Sequence, residues 1–148
     1  MLSAEDRWAI GETLSLHGHL FDQGQLDRLH ELLTPDIVYD VTDVGGGQLV
    51  GIDEVRRAGL ELGDGNPLAH HVTNVVITGD SGDEATAISK GLGVMANGTS
   101  ASCTYLDTLR RTDGGWRLSR RVLLARRIPL NGAYHKSWDA DGSRHQSV

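Results

Sequence analysis

Leu68-Ala69-His70-His71-Val72-Thr73-Asn74-Val75-Val76-Ile77 joins a β-branched run, which favours a sheet, to two adjacent histidines and an asparagine that a plain core strand does not need. Neighbours on a strand point to opposite faces. His70, Val72 and Asn74 are therefore expected on one side and His71, Thr73 and Val75 on the other. One histidine then faces an enclosed interior while its neighbour faces outward or an interface. An inward imidazole is either a hydrogen-bonded core residue or an acid–base group.

Everything after this stretch reads as sheet. A strand over residues 68–79 is followed by a turn at 79–83, a strand over 84–96 and the hairpin turn Asn97-Gly98. A strand over 100–111, the turn Asp113-Gly114-Gly115 and a last strand over 116–127 complete the series. Upstream the period becomes helical. Ser3 with Asp6 three residues on marks a helix start, and Trp8, Ile10, Leu14, Leu16, Leu20 and Phe21 recur at helical spacing until Gln23-Gly24. A second short helix is expected over 26–33, with Leu26, Leu29, Leu32 and Leu33 on one side, ending at Thr34-Pro35. Residues 37–41 read as a first strand, 48–50 as its short partner, and 53–62 as a third helix broken by the glycines and proline of 63–67. Helices first and long antiparallel strands afterwards imply an α+β domain with helices packed on one face of a curled sheet. The domain is expected over residues 1–128. Residues 129–148 form a polar tail whose Tyr134 and Trp138 are available to cover a pocket mouth or a partner.

A chain of 148 residues fits one domain with a real core. The formal charge is −6, the basic residues cluster late, where alternate strand positions put some of them on a solvated face, and stacking aromatics are scarce, so nucleic-acid binding is not expected. The single cysteine, Cys103, leaves no disulfide framework and no cysteine-based zinc site. His70 and His71 diverge on a strand and cannot chelate one ion together, so no metal is expected. Isolated glycines between strands give no phosphate-cradling loop, and no cofactor is implied. The acidic, polar start differs from a signal peptide, and no apolar run approaches the ~18 residues of a membrane span. A cytoplasmic protein is expected.

Asp22 ends the first helix, where a carboxylate sits unfavourably against the helix dipole. Its placement is explained either by solvent exposure and capping of the next helix or by a role facing the interior. His17 and Phe21 lie one helical turn apart, so an inward face would bring His17 and Asp22 to the same interior, with His19 toward water.

The order Asp22-x-Gly24-x-Leu26-Asp27-x-Leu29, then Leu33-Thr34-Pro35-Asp36, resembles the opening of the nuclear-transport-factor-like superfamily. His70-x-x-x-Asn74, Gly79-Asp80, Tyr105-Leu106-Asp107 and Asp113-Gly114-Gly115-Trp116 continue that pattern over residues 5 to 128. Within the superfamily the resemblance is to the SnoaL-like branch that includes scytalone dehydratase. It implies a cone-shaped half-barrel, in which a curled, mixed but mostly antiparallel sheet wraps three N-terminal helices around one pocket. It also implies an acid–base dyad of Asp22 and His70, performing cofactor-free dehydration, isomerisation or cyclisation of a small apolar hydroxy-carbonyl or polyketide-like compound. The rest of the dehydratase pattern is replaced. Phe21 and Val41 stand where tyrosines are expected, Met95 about where a second histidine is, and Cys103 and Tyr105 roughly at serine and asparagine positions. Scytalone itself is therefore not the expected substrate.

His17, Phe21, Tyr39, Asn74, Met95, Cys103 and Tyr105 are the expected substrate contacts. Tyr105 either donates to a carbonyl oxygen or packs on the helices. Asn74 either orients the substrate or satisfies strand backbone groups. The alternative function is a non-catalytic small-ligand-binding or dimerisation module of the same fold. The outer face of the long sheet is expected to form a two-fold homodimer.

Overall fold

The computed structural model describes residues 1–133, so Tyr134 and Trp138 lie outside the described residues. Helix α1 (Ala4–Asp22) starts at a capping box. The Ser3 hydroxyl accepts the Asp6 N–H at 3.0 Å while the Asp6 carboxylate accepts the Ser3 N–H at 3.1 Å. The same carboxylate takes Trp116 Nε1–H at 3.1 Å and Arg111 at 2.6 Å, which ties the start of the helix to the far strands.

A short 3-10 helix, Leu26–Glu31, leads into strand β1 (Leu33–Asp40). The expected second helix over 26–33 is thus shorter, and β1 starts four residues earlier than the expected 37. The residue before a proline avoids helical angles, so Thr34 is already extended and Leu33 pairs with Leu118. Strand β2 (Gln48–Val50) and helix α2 (Ile52–Leu62) follow. Four long strands complete the chain: β3 (Ala69–Asp80), β4 (Glu84–Val94), β5 (Ser100–Thr112) and β6 (Gly115–Arg126).

The strands form one sheet in the order β2-β1-β6-β5-β4-β3, parallel between β1 and β6 and antiparallel elsewhere. It is a curled, unclosed α+β arrangement with β2 and β3 as its edges. Ile10, Leu14 and Leu20 of α1 are buried against Leu29, Leu33, Ile37, Leu109 and Leu118, and this core occupies the concave side. Among the described residues no helix is long and apolar enough to cross a membrane.

Two β-bulges decide which side chains face inward. In β3 the pairing with β4 slips between Thr73 and Val76, and Asn74 takes φ 55°, a left-handed angle that asparagine tolerates better than most residues. The simple alternation expected from the sequence therefore stops there. Val75 and Ile77, not Asn74, join His70 and Val72 on the half-buried side, and Asn74 is exposed. In β6 the pairing slips at Ser119, since Leu118 opposes Leu109 but Arg120 opposes Thr108. Trp116 and Leu118 point inward before the slip, and Arg121, Leu123 and Ala125 after it.

Candidate active site

Helix α1 crosses β3 with almost no gap. A Cβ built at Gly18 would lie 2.2 Å from the backbone oxygen of His70, so only glycine fits. One turn further along α1, Asp22 meets the same histidine. Its two carboxylate oxygens accept the His70 backbone N–H, each at 3.0 Å, and Oδ1 lies 2.6 Å from Nδ1 of the ring. An ionised carboxylate can only accept, so Nδ1 carries the proton and Nε2 is the ring's free basic nitrogen. These donors also offset the poor placement of an acid at a helix C-terminus. The two side chains are 18% and 25% exposed, so the pair is neither sealed off nor on the open surface.

His70 forms part of the wall of a cavity of about 460 Å³, while Asp22 stands behind the ring. Phe21, Val41, Leu49, Val55 and Leu123 make that wall largely apolar. His17, Tyr39, Cys103 and Tyr105 also line it, and His71 reaches its rim. Met95 does not. Its backbone closes the β4–β5 hairpin, pairing with Thr99 and Gly98, which places it in the turn. Asn74 is likewise off the cavity because of its bulge. Both expected substrate contacts are corrected by local backbone geometry.

The polar groups of the wall are close to one another. The His17 ring stacks on Phe21 at 4.6 Å between centroids and meets the His70 ring edge-on at 5.5 Å. His17 Nε2 is 3.3 Å from the Tyr39 hydroxyl. Burial holds the His17 imidazole well below its ordinary range, and the charges of Arg121 and a protonated His70 act in the same direction. Burial also pushes the Tyr39 and Tyr105 phenols up, so both stay protonated as donors. Burial raises the Cys103 thiol too, which argues against a nucleophilic thiolate.

Behind the tyrosines lies an ion pair that sequence reasoning missed. Arg121 donates from Nε and Nη2 to the two oxygens of Asp107 at 2.7 and 2.8 Å, and both side chains are fully buried. The guanidinium carbon lies 3.9 Å from the centroid of the Tyr105 ring. Strand alternation puts some of the late arginines on a solvated face without singling out Arg121, and the bulge at Ser119 turns that residue inward. The available signal was Asp107, which shares a face with Tyr105 at two-residue spacing and, once buried, needs a cation. Among the described residues no three His, Cys, Asp or Glu side chains converge as metal ligands. A larger groove of about 860 Å³ runs along the outer side of α1 past Trp8 and Trp116, but it is shallow and holds no comparable acid–base pair.

Comparison with known proteins agrees with this architecture. The SnoaL-like domain family matches residues 2–122. A solved structure from Novosphingobium aromaticivorans, provisionally named an aromatic ring hydroxylase, is 27% identical with a TM-score of 0.74, covering 86% of this chain and 94% of that one. An NTF2-like protein with a cystatin-like fold from the same organism is 30% identical, with a TM-score of 0.69 and coverage of 87% and 84%. A third, provisionally named a scytalone dehydratase and also from that organism, shares the fold at 21% identity, with a TM-score of 0.69 and coverage of 82% and 84%. No curated protein sequence matches significantly. The chain belongs to the SnoaL-like domain family.

Proposed function

We propose that this protein is a lyase or isomerase of dehydratase or cyclase type, acting through Asp22 and His70 on a small, uncharged hydroxy-carbonyl or polyketide-like compound. The observation that carries the proposal is the 2.6 Å contact between Nδ1 and the Asp22 carboxylate at the wall of a largely apolar cavity. Nε2 of His70 removes the proton from the carbon next to the carbonyl, and the electron pair moves to oxygen as an enolate. Asp22 balances the imidazolium that forms. When the enolate collapses, the β-hydroxyl leaves with the proton of His70 as water, and the ring is neutral again. Returning that proton to another carbon of the substrate gives isomerisation instead. The cycle consumes no oxidant, metal or coenzyme. Tyr105 is a polar contact of the substrate, while His17, Phe21 and Cys103 shape the walls.

A second reading is supported by one observation. The Asp22 carboxylate also accepts the His70 backbone N–H, so it does structural work between α1 and β3 that a non-catalytic ligand-binding or dimerisation module would equally need. A panel of β-hydroxy ketones incubated with the protein, followed by mass spectrometry for loss of water, separates the two. Asp22→Asn is expected to lower the rate by about 10²–10⁴-fold with the melting temperature unchanged or higher. Full activity in Asp22→Asn would remove the dyad, and binding without turnover in the intact protein would favour the binding module.

Assembly as a two-fold homodimer through the outer sheet face is part of the same proposal. Val76, Ile88, Leu106 and Val122 lie in register across four strands there, and Val76 and Leu106 are exposed. Light scattering at micromolar concentration should give twice the chain mass, and a monomer would refute it.

A further inference from the structure

The pair formed by His17 and Tyr39 contains an unresolved hydrogen-bond choice that the surroundings decide. His17 Nε2 lies 3.3 Å from the Tyr39 oxygen, and either atom can be the donor. His17 Nδ1 is buried and has no partner among the described residues. If Tyr39 donated its hydrogen to Nε2, the ring proton would sit on Nδ1 as a buried N–H with no acceptor. If the proton sits on Nε2 and is donated to the Tyr39 oxygen, Nδ1 keeps only a lone pair. An orphaned N–H is rarer in proteins than an under-used acceptor, so the second arrangement is favoured.

That choice frees the Tyr39 hydrogen. Tyr39 lines the cavity, and no protein acceptor among the described residues takes its O–H. Its oxygen already accepts from His17, which limits where the hydrogen can point. The guanidinium of Arg121 lies 6.0 Å from the Tyr39 ring and strengthens the phenol as a donor, yet Arg121 is fully buried, bound by Asp107 and absent from the cavity wall. A ligand therefore meets a polarised neutral hydroxyl and no bare cation. Such a site suits the oxygen of an uncharged carbonyl and disfavours a carboxylate or phosphate.

We propose that the Tyr39 hydroxyl, held by His17 in its Nε2–H form, receives the carbonyl oxygen of the substrate, so that His17 is a positioning residue and Tyr39 touches the reacting group. This rests on the reading above, in which His70 moves the proton. It divides the three neighbouring rings by task. His70 exchanges a proton, His17 stays neutral and directs, and Tyr39 binds the oxygen where charge develops. It also names the substrate as an uncharged ketone whose carbonyl and adjacent carbon reach the Tyr39 and His70 sides together.

Two measurements on the intact protein test it, with α-tetralone, a neutral bicyclic ketone labelled with ¹³C at the carbonyl, as probe. Long-range ¹H–¹⁵N spectra of histidine-labelled protein should show His17 protonated at Nε2, a signature that simple packing would not fix. Bound tetralone should show a carbonyl resonance shifted downfield, and Tyr39→Phe should abolish that shift and weaken binding about tenfold, the effect of one hydrogen bond. Asp22→Asn should leave the shift in place. A His17 proton on Nδ1, a shift that survives in Tyr39→Phe, or no binding of tetralone would each overturn the proposal. Should Tyr39→Phe fail to fold, the His17 tautomer in the unmodified protein still decides. Failure of the dyad reading shows itself separately, as absence of turnover with both signals intact.

Discussion

Gly18→Ala tests whether the contact between α1 and β3 sets the active-site geometry. The added methyl carbon would lie 2.2 Å from the His70 oxygen and 3.3 Å from its carbonyl carbon, and both are backbone atoms that cannot swing away. Ordinary contact requires the helix to retreat or slide by roughly 1 Å. Asp22 is one turn along the same rigid helix and moves with it. A contact that is 2.6 Å in the native protein would open to about 3.6 Å, beyond hydrogen-bond range. Alanine improves helix propensity by about 1 kcal/mol, whereas overpacking costs about 1–3 kcal/mol, so the net loss of stability is only about 0–2 kcal/mol. The proposed catalysis should suffer far more, on the order of 10²-fold for a displacement of this size. The direct assay is the His70 Nδ1–H proton in NMR, which the short hydrogen bond holds downfield and protects from exchange. It should vanish in Gly18→Ala while the melting temperature falls by a few degrees at most. An unchanged proton signal in the variant would refute the reasoning, because the helix would then have moved without disturbing the pair.

Two further outcomes follow from the buried polar groups. His17 is neutral in the native protein, whereas in the unfolded chain its imidazole regains the ordinary value of 6.5 and binds a proton below it. Stability should therefore be full above that pH and fall by about 1.4 kcal/mol per unit as the pH drops from 6 toward 4.5. That window lies above the range of Asp36, held at about 2 chiefly by Arg110, and of Asp40, held at about 2 chiefly by the Thr42 hydroxyl. Urea titrations should show the slope flattened in His17→Phe, and an identical slope in that variant would exclude His17 as its source. Asp107→Leu leaves the Arg121 guanidinium buried without a partner and should cost about 3–5 kcal/mol, most of it recovered by adding Arg121→Met. A loss below 1 kcal/mol in chemical denaturation would mean that water or another group replaces the carboxylate.

The features readable from the sequence are those fixed by neighbours in the chain. Ser3 and Asp6 announce the helix start, Asn97-Gly98 and Asp113-Gly114-Gly115 the hairpins, and the change of period the order of helices and sheet. The α+β class and the curled sheet follow from these. What the sequence concealed depends on single inserted residues. A bulge at Asn74 and another at Ser119 each reverse the inward and outward positions beyond them, and neither is visible without the partner strand. Asn74 is thereby turned off the inward face expected for it, and Arg121, which the sequence did not single out among the late arginines, is turned in. Met95 shows a different limit, since residue 95 lies just beyond the end of a strand expected to run to 96. Asp22 and His70 were singled out from helix position and resemblance, but the close approach at Gly18 that joins them is a tertiary fact. Nothing local marks that glycine.

Among the described residues strand β3 is an edge of the sheet, paired with a strand, β4, on one side alone. The His70 N–H points away from β4, since it is given to Asp22. The carboxylate at the end of α1 thus occupies the position a further strand would take. A neighbouring chain seeking to extend the sheet would find this donor already engaged and, a few residues on, the strand bent by Asn74. The aspartate that is proposed to steady a catalytic base would by the same contact also hinder edge-to-edge pairing. Selection for solubility and selection for chemistry would then preserve the same side chain, and losing either function need not release it.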